Sequence, residues 1–104
     1  MNAHSHKIVI CGGWRTPIGH IARSLSGIRA DDLMTRAVHE TVTRVGVPKG
    51  EVDGLIAGWV GQDFQAPNLA RVCVLRAGLP ERAQAVTVQN NCISSIEAVA
   101  MAAR

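Results

Sequence analysis

The residue with the clearest capacity for chemistry is Cys92, in the run Asn90-Asn91-Cys92-Ile93-Ser94-Ser95. A β-branched stretch precedes it and a helical stretch follows it. A thiol at such a junction stands exposed on a tight turn, with the free N–H groups and the positive dipole end of the helix turned toward its sulfur. These conditions favour thiolate, the form that attacks a carbonyl or thioester carbon. The competing reading is a buried, inert cysteine; the strand–turn–helix setting favours the nucleophile. No residue nearby in the sequence clearly supplies its base.

The other chemistry-bearing residues read more blandly. Cys11 ends an apolar run and Cys73 lies on an apolar helix face, so both read as packing thiols. Three cysteines at wide spacing suit neither a disulfide framework nor a zinc site, so no metal is expected and a reducing, cytoplasmic compartment is. His4 and His6 have the spacing of a ligand pair, but residues 1–6 read as a disordered, solvated tail. His20, in a loop, and His39, on a helix, read as surface or hydrogen-bonded groups. The glycines form neither a dinucleotide fingerprint nor a P-loop. Trp14 and Trp59 read as core or interface residues, and Arg15 and Arg71 as ion-pair or helix-cap partners.

Cys92 must be positioned by the elements around it. Lys7–Cys11 reads as a buried strand, closed by Gly12-Gly13. Pro17 forces a loop that runs to about Ala30. Asp31 and Asp32 then open an amphipathic helix whose apolar stripe is Leu33, Ala37, Val38, Thr41, Val42 and Val45; Gly46 and Pro48 end it. A second strand is predicted within Val52–Val60, with Gly54 and Gly58 as bends or points of close approach. Asn68 caps a second helix that stops at Gly78, and Ala85–Val88 forms a third strand. A last helix starts at Ile93 or Ser94. The order predicts an α/β fold: a mixed or mostly parallel sheet with helices packed on it.

That last helix is apolar on nearly every face and calls for burial on several sides. Three strands and two helices cover it poorly, so the chain reads as one incomplete portion of a larger fold: a fragment, a split subunit or a remnant. Composition agrees with a globular piece, with 47% hydrophobic and 18% charged residues in 104. The net charge of +3 is scattered, and there is only one Phe and no Tyr. Nucleic acid is therefore not an expected partner. No apolar run is long enough to span a membrane, and no secretion signal is evident.

From Lys7 to Arg104 the chain resembles the N-terminal part of the thiolases, within the superfamily that includes the ketoacyl synthases. The resemblance rests on Arg15-Thr16-Pro17-Ile18-Gly19, on Ser26-Gly27 and Asp32-Leu33, and on Gly46-Val47 leading to Glu51-Val52-Asp53. It continues through Gly58-x-Val60-x-Gln62 and Asn68-x-Ala70-Arg71-x-x-x-Leu75-x-Ala77-Gly78-Leu79-Pro80. It closes on Asn91-Cys92-Ile93-Ser94-Ser95-Ile96-x-Ala98-Val99. The pattern departs at Gln89, Ile93 and Ser95, and at His20-Ile21-Ala22-Arg23.

The resemblance implies an acyl-CoA C-acyltransferase that carries its acyl group as a thioester on Cys92. Coenzyme A thioester is then the substrate and no further cofactor is needed. Asn91, Ser94 and Ser95 become candidate substrate-binding residues, and the Cys92 N–H a candidate oxyanion donor. In the family the activating His and a second Cys come from Gly-His-Pro and Cys-x-Gly-Gly-Gly segments. Neither occurs here, so the segment alone is expected to be inactive. The implied partners are a second copy, in a dimer or tetramer, or a complementary chain. The alternatives are a ketoacyl or hydroxymethylglutaryl-type synthase, or a non-catalytic lipid- or CoA-binding relative.

Overall fold

A computed structural model describes residues 6–104; the expectations for His4 and for the first five residues of the tail lie outside the described residues. Three helices and two strands follow in the order α1 (Ala30–Val45), β1 (Gly54–Gly58), α2 (Leu69–Arg76), β2 (Gln84–Val88) and α3 (Ser94–Ala102), with a 3-10 turn at Lys49–Glu51. β1 and β2 pair in parallel, from Gly54 opposite Gln84 to Gly58 opposite Val88. Parallel neighbours need a crossover, and α2 supplies it.

α1 ends as its sequence dictates. Gly46 takes φ +79°, a left-handed conformation that costs glycine little, and its N–H reaches the Val42 carbonyl. At the other end the N-cap is Arg29, which makes no side-chain cap bond. Asp31 and Asp32 bind arginines instead. The Arg76 guanidinium donates to Asp31 at 2.8 Å and to Asp32 at 2.9 Å. Arg29 donates to Asp31 at 2.9 Å and also pairs with Asp63. Asp31 is buried, and two guanidiniums offset the cost of desolvating its carboxylate.

α2 is fixed by polar clips. Asn68 accepts the Arg71 N–H at 3.3 Å, the capping bond, while its amide donates to the Ala85 carbonyl at 3.2 Å. The Thr87 hydroxyl donates to Asn68 at 2.7 Å and accepts the Ala70 N–H at 3.0 Å. The start of α2 is thus held against β2. Arg71 donates to the carbonyls of Glu81 and Ala83, a structural role. At the far end the Leu79 N–H reaches back to the Val74 carbonyl around Gly78, itself at φ +73°. The core lies beside this crossover: Val74, Ala77, Leu79 and Ala83, with Val38, Val42, Val52, Leu55 and Ala85 packed against them.

The strand expected at Lys7–Cys11 does not form. Ile8, Val9 and Ile10 are 66%, 71% and 85% exposed and pair with no strand among the described residues. β-branched residues favour a strand only when a neighbour offers a ladder and an apolar surface, and none lies beside this run. Among the described residues the sheet therefore has two strands, not three. The strand expected within Val52–Val60 is shorter, confined to Gly54–Gly58. α3 packs one side on β1, with Ala98 buried, while Ile96 and Val99 stay exposed. Trp14 is half-exposed and stacks on the Arg44 guanidinium, 5.8 Å from its ring centre.

Candidate active site

β2 ends at Val88, α3 begins at Ser94, and the five residues between them carry the thiol. The junction is anchored on both sides. The Trp59 N–H donates to the Val88 carbonyl at 3.0 Å, extending the ladder past the end of β1. The Gln89 amide donates to the Val60 carbonyl at 3.0 Å. The chain then reverses through Asn91 at φ +48°, a left-handed conformation open to asparagine at modest cost.

The turn closes on one hydroxyl. Ser94 Oγ accepts the Asn90 N–H at 2.9 Å and donates to the Asn91 carbonyl at 2.6 Å. The Ile93 N–H reaches the Asn90 carbonyl at 3.1 Å and the Ser94 N–H reaches that of Asn91 at 3.3 Å. Ser94 is buried at 4% exposure, whereas Cys92 is exposed at the apex. Beneath the turn lies Gly58. A Cβ built there would stand 2.5 Å from the Ser94 carbonyl group and the Ser95 nitrogen, so only glycine lets the start of α3 settle on β1.

Cys92 therefore sits two residues ahead of α3. The N–H groups of Ser95 and Ile96 stand in the first turn of α3, where a helix offers them no intrahelical acceptor. These are the orphan donors of a helix N-terminus, carrying its partial positive charge. The exposed thiol stands just ahead of that helix end and is open to a carbonyl carbon.

The sequence-derived candidates separate by place. Asn91 and Cys92 are exposed together at the apex. Ser94 points inward and holds the turn. Ser95 faces the groove between α3 and the sheet, a space of about 660 Å³ that Ile56, Val86 and Val99 also line. His39 is on α1, its Nδ1 3.3 Å from the Lys49 ammonium. No side chain among the described residues hydrogen-bonds Cys92 Sγ, and no cluster there could hold a metal ion. Sequence reasoning missed the latch formed by Ser94 and the Gln89 anchor; its one usable signal was Gly58, read as a point of close approach.

A parallel strand–helix–strand unit with an exposed thiol between its second strand and the next helix defines a class of candidate cysteine nucleophiles on an α/β scaffold. Comparison with known proteins places the chain more narrowly. A family model for the N-terminal domain of thiolase matches residues 8–104. The chain is 37% identical over 97 residues to a 3-ketoacyl-CoA thiolase of Serratia proteamaculans, covering 93% of this chain and 22% of the relative. It is 40% identical over 99 residues to a 3-ketoacyl-CoA thiolase of Bacillus subtilis, covering 93% and 25%. The structure of an acetyl-CoA acetyltransferase from Syntrophomonas wolfei superposes with a TM-score of 0.87 at 30% identity, over 91% of this chain and 24% of the other. A thiolase from Ascaris suum in complex with coenzyme A gives 0.82 at 30% identity, over 86% and 23%. The chain belongs to the thiolase family. It spans about a quarter of the length of these relatives.

Proposed function

We propose that this chain is the nucleophile-bearing segment of a thiolase-type acyl-CoA C-acyltransferase. The observation that carries the reading is the exposed Cys92 thiol at the apex of the β2–α3 turn, within a thiolase N-terminal domain. The Cys92 thiolate attacks the thioester carbon of an acyl-CoA. A sulfur–carbon bond forms, the bond to coenzyme A breaks, and coenzyme A leaves as a thiolate that takes up a proton. The acyl group then rests on Cys92 until a carbanion or a second thiolate removes it. In this reading the N–H of Cys92 donates to the oxyanion that develops during attack. Asn91, exposed beside Cys92, borders the approach to the sulfur, while Ser95 faces the groove between α3 and the sheet.

Magnitudes argue that this segment alone does not turn over. A helix N-terminus contributes about 0.3–2 kcal/mol to holding an anion. Enzymatic acceleration requires about 8–23 kcal/mol. The difference calls for a base and a completed oxyanion hole, and no side chain among the described residues hydrogen-bonds the sulfur to act as that base. In this reading the rest comes from the C-terminal half of a complete protein, itself a dimer or tetramer, or from a complementary chain.

The test is intact-mass and peptide mass spectrometry after incubation with acetyl-CoA. One acetyl group on Cys92, absent in Cys92→Ala, is the expected result. Undiminished acetylation in Cys92→Ala would falsify the role, whereas a residual adduct on the exposed Cys11 would not. Bound acetyl-CoA with no adduct would favour the non-catalytic alternative.

A further inference from the structure

We propose that Ser94 is a positioning residue for the Cys92 nucleophile: its buried hydroxyl is the latch that holds the apex of the turn in its reactive shape. The inference rests on the reading of Cys92 as the acyl carrier and adds how its sulfur is held. Among the described residues, Ser94 is the only one whose side chain bonds to the backbone of the two residues before Cys92, accepting from Asn90 at 2.9 Å and donating to Asn91 at 2.6 Å. The second bond grips the residue that carries the positive φ of +48°. Asparagine takes this left-handed conformation at modest cost, and the hydroxyl adds the shorter of two bonds to the Asn91 carbonyl, the other coming from the Ser94 N–H at 3.3 Å. The hydroxyl is itself fixed, because Ser94 is only 4% exposed and Gly58 lets its backbone sit against β1.

Removing the hydroxyl leaves the Asn90 N–H without its partner and the Asn91 carbonyl with only the longer bond from the Ser94 N–H, which loosens the turn. Cys92, next in the chain, then loses its fixed direction relative to the N–H groups at the start of α3. Catalytic geometry tolerates little of this: a displacement of about 1 Å costs about 10²-fold in rate.

The experiment measures the rate of Cys92 acetylation by acetyl-CoA in the whole chain, by peptide mass spectrometry, for Ser94→Ala and Ser94→Thr. The protection of the buried Cys73 from iodoacetamide reports folding in the same samples. The expected result is a fall of about 10²-fold in Ser94→Ala, with Cys73 still protected, and recovery to within about tenfold in Ser94→Thr, which keeps the hydroxyl. An unchanged rate in Ser94→Ala overturns the latch and leaves the nucleophile reading standing. Equal slowing in both variants also overturns it, since the hydroxyl is then not the operative group. If Ser94→Ala exposes Cys73, the threonine variant decides: acetylation near the original rate with Cys73 protected supports the latch, and slow acetylation refutes it. No acetylation of the unaltered chain removes the nucleophile reading itself, and the latch with it.

Discussion

Cys92 and Cys73 are the same residue in opposite surroundings. Cys92 stands exposed at a turn apex, whereas Cys73 is fully buried on α2, with the Thr35 hydroxyl 3.5 Å from its sulfur. Burial pushes the Cys73 thiol up from its ordinary value of 9.0, since a thiolate there would lose its hydration, and the Thr35 hydrogen bond offsets only part of this. The sign of the linkage follows. Above the unfolded value the unfolded chain releases the Cys73 proton and the folded chain keeps it. This contribution to stability is complete below about pH 9 and is lost as pH rises toward the folded value. Urea unfolding at several pH values should therefore show a midpoint that falls from about pH 9 upward. Cys73→Ala should remove that part of the decline; a decline of the same size in the variant would show that another group causes it.

The elements explain why the apex holds its shape, and they show what a sequence can disclose. α1, α2 and β2 lie where their periodicity, the Asn68 cap and the Gly46 and Gly78 stops place them, because those signals are local. Gly58 was legible as a close approach, though the partner, the first turn of α3, lies 36 residues on. Gly58→Ala should force α3 away from β1 and cost about 1–3 kcal/mol, as overpacking does. A drop in the urea midpoint would show this, and an unchanged midpoint would mean that α3 does not rest on β1. The Ser94 latch was not legible, because a serine beside a cysteine reads equally well as a substrate ligand until its direction is known. Nor was the pairing of Asp31 with Arg76, which are 45 residues apart. The Lys7–Cys11 run misled for a different reason: apolar β-branched residues signal a need for a partner strand without supplying one.

For the molecule as a whole, the decisive feature is apolar surface left uncovered. Ile93, Ile96 and Val99 on and before α3 are 51%, 72% and 60% exposed, and Ile8, Val9 and Ile10 add a second apolar stretch. Contiguous apolar surface of this kind drives association. The chain should sediment as larger species with rising concentration, and Ile96→Glu should shift it toward monomer. Sedimentation unchanged by Ile96→Glu would place the association surface elsewhere. The same exposure agrees with a segment that spans about a quarter of its thiolase relatives.

The fold class and the place of the thiol were readable because a strand–turn–helix junction has a local signature. Completeness of the site was not, since no short signature marks a base brought in from a distance. The most direct test of the central claim is the mass of the Cys92-containing peptide after exposure to acetyl-CoA. The account predicts one added acetyl group on that peptide, with Cys73 unmodified and no sustained release of product. An acetyl group found only on other residues, with Cys92 left as a free thiol, would contradict it.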